Sequence, residues 1–422
     1  MSRGVRLAYG KTGLDVEIPD HAAVIRPRDV AAADDLNQTL RRALREPVAG
    51  PPLREIVRPG QTVAISICDI TRPQPRRPML EAILAELDGI VRTEDIVVLV
   101  ATGTHRPSTQ DELAAMLGPD LCASLEVVDH DARDDSTLTW CGIRGAGVPV
   151  WLNSRWCAAD VKITTGFVEP HFFAGFSGGP KLVAPGLAGL ETVLVLHDAD
   201  RIGDPAATWG ICEGNPVHDD VRAIAAATGV DFAFDVVLNN QQQVVAAFGG
   251  EILAMHAAAR EVVREVAMAP VDDLFDVVIT TNSGYPLDQN LYQLVKGMSA
   301  AATVVRPGGT IIAAGECRDG FPDHGLFRDL LTQAASPADL AASFTGPTRA
   351  DQWQVQVLAR ILQRARVVVH NDRLTAEELA AAHFGATNDI SDCTRQALAA
   401  AGPDARLCVL PEGPQTIPYL RG

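Results

Sequence analysis

The chain has 422 residues, 47% of them apolar, which is enough for two or more domains with well-filled cores. Its net charge of −17 at pH 7 excludes a general nucleic-acid binder, which needs a basic face, but not a small anion held by a few local Arg and Lys. The eight cysteines form no CxxC pair, which leaves a structural zinc site or a thioredoxin-like motif without support and suits a reducing compartment. The opening MSRGVRLAYGKTGLDVEIP lacks the apolar core of a secretory signal. No run of about 18 apolar residues suggests a membrane span, so a cytoplasmic globular protein is expected.

In chain order, QTVAISIC (61–68) reads as a buried strand, PMLEAILAELDGI (78–90) as a helix and EDIVVLVATG (94–103) as the next strand. TQDELAAMLG (109–118) carries helix punctuation: Thr109 as N-cap, Glu112 three residues on, and Gly118 as the stop. LEVVDH (125–130) and DVKITTGFV (160–168) are further strands. The alternation predicts a parallel sheet with crossover helices. A helix over 253–267 ends at MAPVDD, where we place the domain boundary, at 268–272. Beyond it come a strand over 275–284, a helix over 287–305, an RPGGT turn and a strand over 311–315. A helix over 351–365, a strand over 366–371 and a helix over 375–384 follow. The predicted fold class is α/β, with two α/β domains and largely parallel sheets. The N-terminal domain spans 1–269, with the tail 403–422 returning to complete it, and the C-terminal domain spans 270–402.

In open α/β sheets, ligands bind beyond the carboxyl ends of the strands. Three strands of the first half deliver polar groups there: Asp69, Thr71 and Arg72 after the first, His105 and Arg106 after the second, and Glu169, His171, Ser177 and Lys181 after the third. Arg or His followed directly by Pro, twice, suggests side chains fixed in defined loops. Glycines at 175, 178 and 179 permit close backbone approach, and the amides of Ser177, Gly178 and Gly179 would suit an anion such as phosphate. Lys181 would pair with that anion or act as an amine nucleophile. The alternative is a glycine-rich turn that only lets elements pack closely. GFSGGPK is not a Walker A loop, because Pro180 precedes the Lys and no Ser or Thr follows it. GAGVPV (145–150) has no helix after it and does not carry a dinucleotide fingerprint. His197 emerges from an apolar run and is either a helix-end His or a metal ligand, with Asp198 and Asp200 nearby. In the second half, Tyr292, Gln293 and Lys296 share one helical face and could grip a carboxylate or simply be solvated.

Taken together, DITRP, GTHRP, EPHFFAGFSGGPK through LVLHDAD, YQLVK and DQWQVQ, in this order over residues 69 to 356, resemble the nickel-dependent lactate racemases. The resemblance implies a nickel-pincer nucleotide cofactor, a Ni(II) pyridinium-3,5-bisthiocarboxylic acid mononucleotide, obtained from its own biosynthetic enzymes. It implies His197 as the protein ligand to the metal and Lys181 as the covalent tether. Asp69, Ile70, Thr71 and Arg72 would lie on the nucleotide, Arg72 also near the substrate. His105 and His171 would be the catalytic acid–base pair. Tyr292, Gln293, Lys296 and Trp353 would hold the substrate, in a cleft between the domains. The implied reaction is racemisation or epimerisation of a small 2-hydroxy acid, lactate-like or malate-like, with Arg106 or Arg318 available to a second carboxylate. No nucleic acid or membrane partner is expected. Two rival readings stay open on the residues alone. One is a zinc hydrolase with His105, His171 and His197 as ligands; the other is a non-enzymatic protein that binds the nickel cofactor.

Overall fold

Val63–Cys68 is buried at all six positions, as a central parallel strand covered on both faces must be. Phe232–Leu238 is as apolar, and Val161–Phe167, though it carries Lys162, Thr164 and Thr165, is nearly as buried. In the computed structural model, which describes residues 2–322 and 325–421, these strands form the middle of a six-stranded sheet. Its order is Val244–Gly250, Phe232–Leu238, Val161–Phe167, Val63–Cys68, Ile96–Ala101, Glu126–Asp129. All neighbours are parallel except the antiparallel pair at the Val244–Gly250 edge. The core on this sheet joins Ile65, Ile67, Val98, Ile163, Phe232 and Phe234 to Leu40, Met79, Ile83 and Leu117 from its helices.

The helix Gln110–Leu117 begins and ends as its punctuation demands. Thr109 Oγ1 accepts from the Glu112 amide, the Glu112 carboxylate accepts from the Thr109 amide, and Gly118 terminates the helix at φ +86°. The GAGVPV stretch instead joins two antiparallel strands, Leu138–Arg144 and Val148–Asn153.

A second six-stranded sheet, parallel throughout, has the order Gly385–Ala386, Arg366–His370, Val305–Ala314, Phe275–Thr281, Leu407–Leu410, Ala23–Val24. The chain divides into a first unit, Asp29–His197 with Asp204–Val266, and a second unit holding the residues up to Arg28, Asp198–Gly203, and those from Ala267 onward.

Three features differ from the sequence expectation. The tail does not return to the first unit: Leu407–Leu410 pairs with Phe275–Thr281, and Ile417–Leu420 pairs with Met268–Val271. The N-terminal hairpin Ser2–Leu7/Leu14–Pro19 also belongs to the second unit, because its alternating apolar residues Val5, Leu7, Val16 and Ile18 bury against Val277, Ile279 and Val409. Finally, RPGGT is not a separate turn but lies inside Val305–Ala314. The register there jumps from Phe275↔Val305 to Val277↔Thr310, and Gly308, at φ +79°, absorbs the bulge.

Candidate active site

The first sheet reverses direction between Val63–Cys68 and Val161–Phe167. From the former the chain moves strand by strand to one edge, and from the latter to the other. Such a switch point opens a crevice at the carboxyl ends of the two strands. Asp69–Arg72 follow one of these strands and Glu169–His171 the other. The Arg72 guanidinium and the Glu169 carboxylate approach to 3.9 Å across this point. Both are half exposed, so the pair contributes little energy but marks the approach of the two loops.

On the first loop Asp69 takes two partners: His105 Nδ1, from the loop after Ile96–Ala101, lies 2.6 Å from its Oδ2, and Thr71 Oγ1 donates to its Oδ1 at 2.7 Å. Burial alone would raise the Asp69 carboxyl. The His105 and Thr71 bonds and the Arg72 charge outweigh it and hold the group below the ordinary carboxylate range. An ionised Asp69 places the proton on His105 Nδ1 and leaves Nε2 as the basic nitrogen. His171 is set the other way: its Nδ1 accepts from the Ala174 amide at 3.3 Å, so Nε2 carries the proton of the neutral ring. The two imidazoles therefore present opposite valences at Nε2. Ile70 is exposed.

Phe173 gathers the rest. Its ring meets His171 edge-on at 4.5 Å and His197 at 5.2 Å, and Lys181 Nζ lies 5.3 Å from its centroid. His197 closes the helix Leu190–Leu196, and its Nδ1 lies 2.7 Å from the Val193 carbonyl. Burial, with the Lys181 charge in addition, pushes its pKa down to about 4 against the opposing backbone bond. The ring is neutral at pH 7, with Nδ1 protonated and the lone pair on Nε2, the state a metal ligand requires. Asp198 pairs with Arg201. Among the described residues, no group of three His, Cys, Asp or Glu side chains gathers as for a metal ion, so the three-histidine zinc centre has no structural basis.

The glycine-rich loop uses its amides internally. The Ser177 amide donates to the Glu169 carbonyl at 2.8 Å, Gly179 to Asp235 Oδ2 at 2.6 Å, and Lys181 to the Gly178 carbonyl at 3.1 Å. A Cβ on Gly178 would stand 2.6 Å from Asp235, and one on Gly179 would stand 2.7 Å from the His256 ring. These glycines let the loop lie on Asp235 and His256. The anion cradle expected in the Ser177 and Gly179 amides is thus replaced by contacts within the protein.

Sequence reasoning missed the residues that shape the Asp69–Arg72 loop. Arg76, 7% exposed, donates to the carbonyls of Cys68 at 2.7 Å, Arg72 at 2.6 Å and Gln74 at 3.1 Å, and also to that of Asp69. Gln74 accepts from the Cys68 amide at 2.7 Å and donates to Thr165 Oγ1 at 2.8 Å. The signal was the QPRRP that follows DITRP, a Gln and an Arg set between prolines. Arg106 makes a two-pronged pair with Glu112, at 2.8 and 2.6 Å, and that carboxylate already occupies its guanidinium. Arg318 lies 5.3 Å from the Tyr285 ring and pairs with Asp319.

In the second unit, Asn290 caps the helix Leu291–Ala302 by accepting from the Gln293 amide. Lys296 Nζ donates to Gln293 Oε1 at 2.9 Å. Both side chains carry N–H donors, which suit a carboxylate. Tyr292 packs on Phe327 at 5.2 Å, and Gln354 Nε2 donates to the Tyr292 carbonyl at 2.6 Å. Trp353 stands at the start of the helix Gln352–Arg364 and is partly buried. No helix among the described residues is long and apolar enough to cross a membrane.

Comparison with known proteins agrees with this architecture. A model of the lactate racemase N-terminal domain matches residues 9–210, and one of the lactate racemase C-terminal domain matches residues 271–417. A lactate racemase of Thermoanaerobacterium thermosaccharolyticum is 33% identical over 421 residues, covering 98% of each chain. One of Lactiplantibacillus plantarum is 33% identical over 416 residues, covering 97% of this chain and 98% of the other. The solved lactate racemase apoprotein from T. thermosaccharolyticum superposes with a TM-score of 0.92 over the full length of both chains at 32% identity. A Thermotoga maritima protein shares the fold, with a TM-score of 0.68 at 17% identity, over 93% of this chain and 100% of its own. The chain therefore belongs to the lactate racemase family and is an isomerase, a racemase.

Proposed function

We propose that this racemase interconverts the enantiomers or epimers of a small 2-hydroxy acid, lactate-like or malate-like, with His105 and His171 as the acid–base pair and a nickel-pincer nucleotide as cofactor. The observation that carries the reading is the setting of the two histidines, His105 Nδ1 2.6 Å from Asp69 and His171 Nδ1 3.3 Å from the Ala174 amide, beside a neutral, buried His197. The residues fit the cofactor: a metal that brings its own donors needs one neutral imidazole, and His197 is in that state without a cluster of other ligands. Lys181, close enough to His197 to lower its pKa, would hold the pyridinium substituent. Asp69, Ile70, Thr71 and Arg72 would hold the nucleotide. When bound, the cofactor supplies a reversible hydride acceptor.

The chain's own residues do the rest. For the substrate carboxylate the second unit supplies the donors Gln293 and Lys296, with Tyr292 and Trp353 on the same unit, and the first unit supplies Arg72. With the carboxylate fixed, the carbon loses only its freedom to tumble, which lowers the entropic part of the barrier. His105 Nε2 accepts the hydroxyl proton of one enantiomer, and Asp69 stabilises the imidazolium that forms. His171, entering as the imidazolium, protonates the oxygen as the planar 2-oxo acid is reduced on its other face and is left as the neutral ring. Starting from the opposite enantiomer, the two exchange roles: His105 enters as the imidazolium, and His171 gives up the Ala174 bond to carry its lone pair on Nε2. Loss of hydrogen as hydride, together with the hydroxyl proton, avoids a carbanion beside a carboxylate.

The test uses protein produced together with the cofactor's biosynthetic enzymes. It should carry about one nickel per chain and racemise lactate or malate. His105→Ala and His171→Ala should each lower racemisation about 1,000-fold in both directions, since the equilibrium constant is one. Each should still release trappable 2-oxo acid from a single enantiomer, with opposite preference. A holoprotein that carries zinc alone, or single variants that racemise like the wild type, would overturn the proposal.

A further inference from the structure

Two cysteines near one another take no part in the racemase reading. Cys141 lies on the strand Leu138–Arg144, and Cys157 on the helix Ser154–Ala158 that follows the hairpin. Their sulfurs are 3.7 Å apart, and both residues are half-buried. Between Trp140 and Ile143 the strand register slips, which leaves Cys141 outside the regular ladder, where backbone adjustment is easiest. The sulfur of Cys141 also sits 3.5 Å from the Thr139 carbonyl.

We propose that Cys141 and Cys157 form an oxidative modification site, in which peroxide oxidises Cys141 and Cys157 closes a disulfide with it. Cys141 is the attacking thiolate: the bond from Cys157, with Arg144 and Lys162 in addition, pushes its pKa down to about 7 against burial. The same contact pushes Cys157 up, so Cys157 keeps its proton for the second step. The Cys141 thiolate attacks hydrogen peroxide; an S–O bond forms, the O–O bond breaks, and hydroxide leaves to become water. Cys157 sulfur then attacks the sulfenic acid; the S–S bond forms, the S–O bond breaks, and the Cys157 proton leaves in a second water. Two thiols and one peroxide thus give one disulfide and two waters.

Chemistry elsewhere in the chain supports the selectivity. Burial raises the thiols of Cys68, Cys122, Cys212, Cys317, Cys393 and Cys408. The cross-link would also reach the proposed centre. In the second strand of the hairpin, the Trp151 amide donates to Thr192 Oγ1 at 2.9 Å and the Trp151 indole to Glu191 at 3.0 Å, on the helix that ends at His197.

The test treats the full-length reduced chain with a small excess of hydrogen peroxide, blocks remaining thiols with a maleimide, and maps the peptides. The expected result is a single intrachain Cys141–Cys157 disulfide, lighter by the two lost hydrogens and reversed by dithiothreitol. In Cys157→Ser, dimedone should label Cys141 alone. Before oxidation, Cys141 should react with maleimide at pH 7 about tenfold faster than the other cysteines. The proposal is overturned if both thiols remain fully alkylatable after peroxide, or if oxidation scatters over other cysteines. Because the readout is peptide mass on the wild-type chain, a variant that fails to fold does not rescue it.

Discussion

The two sheets share a design and differ at their switch points. In the second unit the reversal lies between Phe275–Thr281 and Leu407–Leu410, and it is bonded shut. Thr281 Oγ1 donates to the Pro411 carbonyl at 3.1 Å and Ser283 Oγ to that of Glu412 at 2.6 Å, and a Cβ on Gly413 would stand 2.0 Å from the Thr281 carbonyl. In the first unit the same position holds Asp69, Arg72, His105, Glu169 and His171, with a guanidinium and an amide side chain keeping their loop in shape. Topology thus offers two crevices, and under the proposed reading side chains decide which of them does chemistry. The second unit offers its donors from a helix face instead, through Gln293 and Lys296.

The largest expected effect tests what supports the first crevice. Asp235, wholly buried, accepts from Gly179, and burial pushes its pKa up to about 7 against that bond. The sign follows directly. Below about pH 4 the carboxyl is protonated in both states and contributes nothing. As pH rises, the unfolded chain loses the proton first, so stability falls until the folded pKa near 7 is passed, after which the cost is constant. Asp235→Asn keeps an oxygen for the Gly179 amide and removes this titration. Relative to wild type, the variant should gain stability between pH 4.5 and 7.5, by up to the order of 4 kcal/mol. Denaturant unfolding at the two pH values measures it, and parallel slopes for both proteins would show that the carboxyl is ionised in the fold.

Arg76 tests whether the loop's shape matters apart from its residues. Its guanidinium reaches four carbonyls, which a lysine ammonium on a flexible stem cannot reproduce. Arg76→Lys should keep the charge yet lower kcat/KM about 100-fold, with kcat falling more than KM rises, because Asp69 and His105 move out of line. The acid limb of its pH–rate profile should shift, since the Asp69–His105 pair sets the basic nitrogen. A variant with wild-type kinetics would leave Arg76 a role in folding alone.

What the sequence made legible follows the same division. Strands such as Val63–Cys68 announce themselves by unbroken burial, and the helix Gln110–Leu117 by its capping box and final glycine. The placement of DITR, THR and EPH after strands pointed to one lip of a sheet. The strand order, which makes that lip a switch point, is set by long-range pairing and could not be read locally. The same holds for the N-terminal hairpin and the tail, whose partners lie more than a hundred residues away. The amides of the glycine-rich loop misled because a glycine that admits a ligand and one that admits Asp235 look identical in sequence. Gln74 and Arg76 were passed over because polar side chains that bond to backbone leave no periodic signal.

The smallest effect concerns the second unit's grip. If Gln293 and Lys296 act as donors to a carboxylate that stays fixed throughout the reaction, their contribution is the same in the ground and transition states. Lys296→Ala should then raise KM about tenfold and leave kcat within about twofold. Gln293→Ala should do less, because Lys296 keeps its charge when the 2.9 Å bond is lost. Steady-state kinetics on both enantiomers of lactate and malate separate the possibilities. A fall in kcat rather than a rise in KM would mean that these donors hold the oxygen on which charge changes, and that the helix reacts as well as grips.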